Sequence, residues 1–200
     1  MIERSKFEHQ LFNLRGIILD GVSYFIVWQG LAKEYEDSIK NLSQRTGFWW
    51  RYRGFFAPAR KALLWNALMQ LSKAFDKDTR NVCIGKLLKI ALENRKELVP
   101  HATRSSLKAI LSKIDNNTEL LQRLRQYRNK RLAHFDADLT DNIELPSEEV
   151  QTLIEETKSI YNSIKLLYDG KYDDFDDIME NVDLHTKQVI SIMSERDRDG

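Results

Sequence analysis

Apolar residues recur at steps of three and four positions along most of the chain, which is the spacing of one face of an α-helix. The first stripe predicts one long helix from about residue 5 to residue 42, carrying Phe7, Leu11, Leu14, Ile18, Val22, Phe25, Trp28, Ala32 and Tyr35. Three glycines interrupt it and mark either soft points or sites of close helix packing: Gly16, Gly21 and Gly30.

Six further stripes predict six more helices. Pro58 fits the first turn of the second helix, where its missing N–H costs little. Asp78 or Thr79 can cap the third helix, and Ser147 can cap the sixth. The apolar stripes themselves run over residues 64–75, 83–91, 107–114, 120–132, 150–168 and 175–193.

The pattern contains no convincing strand pair, no internal repeat and no low-complexity tract. It predicts an all-α fold, an antiparallel bundle of about six to seven helices with short connections. We expect residues 1–170 to form the helical domain. Residues 171–200 are expected to form an acidic C-terminal helix that packs on the bundle or extends it.

The chain has 200 residues, of which 42% are hydrophobic and 30% charged, a composition that excludes a disordered chain. Its one cysteine, Cys83, excludes an internal disulfide framework and favours a reducing compartment. No signal peptide is evident at the start of the sequence, and the most apolar stretches look too short or too interrupted to span a bilayer. We therefore expect a cytoplasmic protein without a membrane partner.

The net charge of +1 conceals an uneven distribution. Residues 1–132 hold 25 Lys and Arg against 12 Asp and Glu, whereas residues 133–200 hold 6 against 18. Such asymmetry is typical of an anion-binding face with an acidic appendage. Alternatively, the acidic part lies along the basic part in the fold and neutralises it. The sequence does not decide between them.

The segment with the most chemical potential runs from Arg128 to His134 at the end of an Arg-rich helix. Arg offers a permanently charged planar fork that matches phosphate geometry, and Asn129 beside it can hold a phosphate oxygen or the imidazole. His134 can give and take protons near neutral pH. On a continuous helix the two outer residues are about 9 Å apart along the axis and can border one groove.

This segment resembles a family motif. An Arg-Asn pair followed by His134 near the end of a helix looks like the Rx4-6H signature of HEPN domains. The run RNKRLAHFD is similar to the R-x-K-x-x-A-H-x-D segment of the abortive-infection (AbiU-type) branch of that superfamily. Residues 71–76, LSKAFD, resemble the LsrlfD helix of the same branch, and the resemblance covers roughly residues 1–170.

The resemblance implies a HEPN-like endoribonuclease that needs no metal or cofactor, of the phage-defence or toxin–antitoxin kind. It implies that His134 is a general base or acid, that Arg128 stabilises charge on the phosphoryl group and that Asn129 orients either His134 or the phosphate. The product would carry a 2′,3′-cyclic phosphate. Partners would be RNA, a second copy with the site at the subunit interface, and a cognate antitoxin protein.

Several neighbouring residues extend this hypothesis. Four basic residues form a track for the RNA backbone, or else the solvated face of an amphipathic helix: Arg123, Arg125, Lys130 and Arg131. Two carboxylates are candidates for holding the site's Arg or His side chains in position: Asp76 and Asp136. The aromatic and basic segment 48–60 can stack unpaired bases, but buried packing or a subunit interface is the more common role of such a cluster.

Other chemistries lack the residues they need. His9, His101 and His185 do not have metal-ligand spacing, and there is no phosphate loop or dinucleotide fingerprint. Cys83 lies on an apolar stripe and is expected to be inert core. The alternative to the nuclease is a catalytically inactive HEPN-like module that binds RNA, a nucleotide or a protein partner.

Overall fold

A computed structural model describes residues 2–40, 48–76, 78, 80–129 and 145–198. All regular secondary structure in these residues is helical, so the prediction of an all-α fold is confirmed. The helices are α1 (Ile2–Lys40), α2 (Phe48–Arg51), α3 (Arg53–Ala74), α4 (Ile84–Glu93), α5 (Arg95–Leu98), α6 (Arg104–Asn116), α7 (Thr118–Arg128), α8 (Ser147–Asp169) and α9 (Asp176–Arg198).

Seven of these described helices have ten or more residues, and they follow the seven predicted stripes in order. The two additional helices, α2 and α5, are single turns of four residues. A four-residue turn is too short to show a helical period, so a periodicity search does not find it.

Three predicted helix starts are wrong, two of them by several residues. Helix α3 begins at Arg53, so Pro58 lies inside it rather than in its first turn. The N–H groups of Phe55 and Phe56 already donate to the carbonyl of Tyr52, at 2.9 and 3.1 Å, and burial of Phe56 favours this earlier start. Helix α4 begins only at Ile84 and its N-cap residue is Cys83, so the predicted cap near residue 78 is wrong.

Two residues predicted as helix caps, Asp78 and Ser147, do not cap a helix in the structure. Asp78 instead accepts hydrogen bonds from Nε, Nη2 and the backbone N–H of Arg80, and these hydrogen bonds lower the pKa of the Asp78 carboxyl to about 2. Ser147 is the first residue of α8 rather than its cap, which is Pro146. The clearest cap belongs to α6, where Thr103 and Ser106 form a reciprocal capping box.

The chain forms two compact units. The first contains Met1–Leu19 and Leu68–Asp173, and the second contains Asp20–Ala67 and Asp174–Gly200. Helices α1 and α3 therefore each contribute residues to both units. This grouping joins residues 20–67 to the C-terminal helix, and the division into a domain of residues 1–170 and a helix of residues 171–200 stays a prediction.

In the first unit, α6 is the central element, since it packs against α4, α7 and α8. Its Leu107 is completely buried, and burial of one leucine side chain contributes about 1.5–3 kcal/mol. Cys83 is buried as expected for a core residue. The other large, fully buried side chains of this unit are Phe7, Leu14, Ile18, Leu71, Ile84, Leu87, Leu88, Leu98 and Tyr161.

The second unit has an aromatic core. Phe48, Trp49 and Phe56 are buried with Leu31, and the partly buried Tyr35, Leu63, Ile190 and Met193 pack around them. The Arg60 guanidinium lies 4.3 Å from the centre of the Tyr35 ring. Segment 48–60 therefore provides packing, the more common of the two roles considered for it, while Tyr52 and Phe55 remain exposed.

Helix α1 contradicts the expectation that every apolar stretch is too short or too interrupted to span a bilayer. Residues 4–40 of α1 contain a window that is long and apolar enough to cross a membrane by length and composition, and 39% of that window is buried inside the protein. A core helix satisfies the same criterion. The buried residues of α1 recur at helical spacing, as expected for a helix that contributes to a protein core: Phe7, Leu11, Leu14, Ile18, Val22 and Phe25.

Gly30 is a close-packing glycine of α1. A Cβ atom at this position would lie 2.8 Å from Cγ2 of Thr186 on α9, well inside van der Waals contact. At Gly16 a Cβ atom would meet nothing within 4 Å. The two glycines therefore differ physically: Gly30 permits close approach of two helices, whereas Gly16 only loosens a helix.

We predict opposite effects of alanine at these two positions. Gly16→Ala should raise the free energy of unfolding by about 0.5–1 kcal/mol, because it removes backbone freedom from the unfolded chain. Gly30→Ala should lower it by roughly 1 kcal/mol, because overpacking outweighs the same gain. Thr186→Ser removes the opposing methyl group and should restore stability to the Gly30→Ala protein. Urea denaturation of the four proteins measures these differences, and equal effects of the two alanines would contradict the assignment.

Candidate active site

Arg128 and Asn129 lie where α7 ends in the first unit. Arg128 is the last residue of α7, and Asn129 keeps helical angles, φ −68° and ψ −42°. The backbone N–H of Asn129 donates to the carbonyls of Arg125 and Gln126. A cation at this end of a helix is stabilised by the helix dipole, whose carboxyl end is negative.

Three side chains hold the Arg128 guanidinium. Its Nη1 donates to Oγ of Ser72 at 3.2 Å, and its Nε donates to Oδ1 of Asn129 at 3.2 Å. Nη1 also lies 3.9 Å from Oδ2 of Asp76, an ion-pair distance without a direct hydrogen bond. The structure therefore brings together three residues predicted for the site, Arg128, Asn129 and Asp76, and adds a fourth, Ser72.

Asp76 is itself fixed by the turn that follows α3. Its Oδ1 accepts from the backbone N–H of Asp78 at 3.1 Å, and its Oδ2 accepts from Nδ2 of Asn81 at 3.3 Å. Ser72 is buried on α3, with 3% of its surface exposed. The Ser72 side of this support is thus removed from water, whereas the side chains of Asp76 and Arg128 remain 23% and 31% exposed.

Among the described residues, this arrangement engages two of the three guanidinium nitrogens of Arg128. Nη2 of Arg128 has no hydrogen-bond partner among the described residues. A planar guanidinium with Nε and Nη1 engaged presents its remaining N–H groups in a fixed direction, which lowers the entropy lost on binding an anion. The geometry can therefore hold one phosphate oxygen beside Asn129.

The two other described arginines of the predicted RNA track have partners within the protein. Arg125 Nη2 donates to the carbonyl of Phe75 at 3.2 Å, at the end of α3. Arg123 Nη2 lies 2.7 Å from Oε2 of Glu149 in the first turn of α8. Both contacts tie α7 to a neighbouring element, so each arginine has a structural role whether or not it also meets RNA.

The remaining predicted site residues lie outside the described part of the chain. These are the proposed proton-transfer residue, two members of the basic track and one supporting carboxylate: His134, Lys130, Arg131 and Asp136. Their roles stay predictions.

Ser72 is the site residue that sequence reasoning missed. The motif LSKAFD contains it, but no role was assigned to it. A signal was available, because Ser72 and Asp76 are four residues apart and such pairs lie on one face of a helix. A serine hydroxyl one helical turn before a carboxylate can accept a hydrogen bond from a guanidinium on another helix.

A second polar cluster of the first unit is internally satisfied. Oδ2 of Asp173 accepts from Arg15 Nε at 3.1 Å and from the Tyr161 hydroxyl at 2.9 Å, and Oδ1 lies 3.8 Å from Lys165 Nζ. Burial and the Asp173 carboxylate raise the pKa of Tyr161, so its hydroxyl keeps the proton that it donates. Asn162 pairs with the backbone of Asp173, donating to its C=O and accepting from its N–H.

These contacts give the Asp173 cluster a structural function. Each charged group in it has an opposite charge within ion-pair distance, and the cluster fastens the residues after α8 onto α8 and the start of α1. It is therefore a weaker candidate for a site than Arg128. Within the described residues there is also no group of three His, Cys, Asp or Glu side chains that could hold a metal ion.

A comparison with known protein families identifies a match over most of the chain. The family model HEPN_AbiU2, described as AbiU2, matches residues 6–188. No curated protein and no solved structure matches the chain significantly.

We predict that Ser72 and Arg128 are energetically coupled. In a double-mutant cycle, Ser72→Ala and Arg128→Ala should together cost less than the sum of the single changes, by about 0.5–1.5 kcal/mol, because each removes the same hydrogen bond. Arg4 is a suitable control, since its guanidinium contacts Glu8 and Tyr168 instead. Ser72→Ala combined with Arg4→Ala should be additive in urea denaturation. If the effects of Ser72→Ala and Arg128→Ala on the free energy of unfolding are additive, the hydrogen bond between these two side chains is contradicted.

Proposed function

The chain belongs to the AbiU2 family of HEPN proteins, and from this premise we propose that it is a metal-independent endoribonuclease of the phage-defence or toxin–antitoxin kind. The observation that carries the proposal is the fixed Arg128 guanidinium. Ser72 and Asn129 hold two of its nitrogens, and Asp76 lies within ion-pair distance. An oriented cation beside an amide suits a phosphodiester whose charge grows during reaction.

The proposed reaction is an internal transesterification of RNA. The ribose 2′-oxygen attacks the adjacent phosphorus, while a general base removes the 2′-hydroxyl proton and a general acid protonates the departing 5′-oxygen. The P–O5′ bond breaks as the 2′-O–P bond forms, which leaves a 2′,3′-cyclic phosphate and a 5′-hydroxyl. The 2′-hydroxyl is the nucleophile, so DNA should not be cleaved.

In this proposal His134 is the proton-transfer residue, Arg128 stabilises the charge on the phosphoryl oxygens, and Asn129 orients the phosphate or the imidazole. One histidine cannot easily serve as base and acid in the same step. Two copies of the motif facing one cleft would supply both, so we propose a homodimer as the active form. We place a cognate antitoxin protein among the expected partners.

A second candidate function is an inactive HEPN-like module that binds RNA, a nucleotide or a protein. The observation that favours it is the engagement of Arg123 with Glu149 and of Arg125 with the Phe75 carbonyl. A phosphate backbone would have to compete with these partners, so the electrostatic contribution of this part of α7 to RNA binding is reduced.

We predict that Arg128→Ala and His134→Ala each abolish RNA cleavage, since catalytic charge stabilisation and proton transfer each supply at least about a hundredfold in rate. Arg128→Lys should not restore activity, because an ammonium lacks the planar fork. The assay is cleavage of end-labelled RNA with an excess of EDTA. Analysis of the products should show 2′,3′-cyclic phosphate and 5′-hydroxyl ends.

Matched controls are Arg104→Ala and His101→Ala, which remove an exposed arginine and an exposed histidine from elsewhere in the first unit. Both should retain wild-type cleavage. If pure wild-type protein binds RNA without cutting it under any tested condition, the inactive module is the correct reading. Cleavage that stops with EDTA, or that survives loss of His134, would reject the proposed chemistry.

Ser72→Ala should lower the cleavage rate without abolishing it. The variant keeps Arg128 but loosens its orientation, and misplacement of a catalytic group by about 1 Å costs up to about a hundredfold in rate. The loss should appear in kcat more than in KM, because orientation matters most when charge develops. Ser72→Thr retains the hydroxyl and should recover much of the rate. If wild type and Ser72→Ala cleave RNA at the same rate, Ser72 does not orient Arg128 for the reaction.

A further inference from the structure

The turn between α3 and α4 carries an arginine next to the Arg128 site. Asp76, which lies within ion-pair distance of Arg128, accepts a hydrogen bond from the backbone N–H of Asp78 at 3.1 Å. Asp78 in turn contacts the guanidinium of Arg80, whose Nη2 lies 2.6 Å from Oδ2 of the carboxylate. A continuous chain of contacts therefore leads from Arg128 through two aspartates to Arg80, and all four residues belong to the first unit.

Local hydrogen bonds fix the backbone of this turn. The N–H of Asn81 donates to the carbonyl of Asp78 at 3.0 Å, and Oδ1 of Asp78 accepts from the backbone N–H of Arg80 at 2.9 Å. The side chain of Asn81 donates to Asp76 at 3.3 Å. Lys86, in the first turn of α4, donates to the carbonyl of Arg80 at 3.4 Å. The main chain of Arg80 is thus held beside the site, whereas its side chain is 89% exposed.

The two segments that meet at this turn are rich in basic residues. Residues 68–92 contain five Lys or Arg and two acidic residues, Asp76 and Asp78. Residues 120–129 contain three arginines and no acidic residue. Together the segments carry eight basic residues against two acidic ones, an excess of the kind that binds a phosphate backbone.

The two arginines differ in the charge of the groups that accept their hydrogen bonds. The guanidinium of Arg128 donates to two neutral side chains, those of Ser72 and Asn129. Nε and Nη2 of Arg80 instead donate to the carboxylate of Asp78. A carboxylate presents two oxygens to the planar fork of an arginine, as a phosphate does. Asp78 therefore occupies the edge of Arg80 that matches an anion.

The pair of Asp78 and Arg80 can be separated at little cost. Its side chains are 34% and 89% exposed, and ion pairs in water contribute little to stability. Both residues lie in one turn, so their separation moves no helix. The pair of Arg123 and Glu149 is different, because each side chain is only 35% exposed and the contact joins α7 to α8.

We propose that Arg80 is a second phosphate-binding residue of the RNA site, and that Asp78 occupies it until an RNA phosphate displaces the carboxylate. Arg128 then holds the scissile phosphate and Arg80 a neighbouring phosphate of the same strand, so the inference rests on the proposed ribonuclease function. The contact exists before and during the reaction, and it therefore contributes to RNA binding rather than to the rate of the bound complex. It recognises the backbone and not a base, so it is independent of sequence.

The first test measures binding of a single-stranded RNA whose 2′-O-methyl groups prevent reaction, by fluorescence anisotropy at several salt concentrations. Arg80→Ala should raise the dissociation constant about three- to tenfold, the effect of one hydrogen-bonded contact. It should also reduce the slope of log Kd against log salt concentration by about 0.7, the share of one phosphate in a single strand. Arg4→Ala is the matched control and should change neither quantity, since it removes another exposed, ion-paired arginine of the first unit.

The second test removes the competing carboxylate. Asp78→Asn keeps the oxygen that accepts from the backbone N–H of Arg80 but lacks the charge. It should lower the dissociation constant by up to about fivefold, because the RNA no longer has to break an exposed ion pair. In the Arg80→Ala protein the same change should have a much smaller effect. Glu8→Gln, the equivalent change in the pair of Arg4 and Glu8, should leave the affinity unchanged.

Cleavage of unmodified RNA gives an independent readout. Arg80→Ala should raise KM with little change in kcat, because it removes a contact made equally in the bound complex and in the transition state. Ser72→Ala should show the opposite division, since it acts on the orientation of Arg128.

Three outcomes would overturn the proposal. If Arg80→Ala keeps the wild-type affinity and salt slope while the wild-type protein cleaves RNA, the ribonuclease proposal stands and Arg80 does not bind a phosphate. If Asp78→Asn weakens RNA binding, Asp78 positions Arg80 and does not compete with RNA. If the wild-type protein neither binds the modified RNA nor cuts the unmodified strand, the ribonuclease proposal itself fails, and Arg80 has no scissile phosphate beside it.

Discussion

Two arginines of α7 reach across to the end of α3, and the proposed site depends on this contact. Arg125 donates to the carbonyl of Phe75, one of the groups that a helix leaves unsatisfied where it ends. Arg128, one turn later, donates to Ser72 and lies within ion-pair distance of Asp76. The first contact fixes where the two helix ends meet, and the second sets the direction of a guanidinium at that point. The orientation of the Arg128 guanidinium is therefore a consequence of where these two helices end.

The sequence predicted the helices better than their ends. Seven long amphipathic stripes became seven helices because an apolar face at helical spacing is a property of the sequence pattern itself. The start of α3 was wrong because burial of Phe56 outweighs the usual position of Pro58 near a helix start. Of the site, Arg128, Asn129 and Asp76 were predicted and meet in the structure, whereas Ser72 was missed. In a sequence, a buried serine cannot be distinguished from other small core residues. Its hydrogen bond to Arg128 is seen only once the positions of α3 and α7 are known.

The uneven charge of the chain has a structural meaning. In the first unit, basic and acidic parts that are distant in sequence pair directly, as Arg123 does with Glu149 and Arg15 with Asp173. Neutralisation within the fold, one of the two interpretations of the charge split, therefore holds for these residues. In the second unit, opposite charges also pair locally, as Lys187 does with Asp183 one turn earlier on α9.

The amide of Asn162 gives the connection after α8 an attachment that differs in kind from its ion pairs. Arg15, Tyr161 and Lys165 contact the carboxylate of Asp173, and the two cations are attracted to its charge. Asn162 instead contacts the main chain of the same residue, through one donor and one acceptor that carry no charge. Because dissolved salt screens the attraction between charges but acts little on a neutral amide and a peptide group, high salt should weaken mainly the first kind of contact. The junction is thus held by two attachments whose strengths depend on different properties of the solvent.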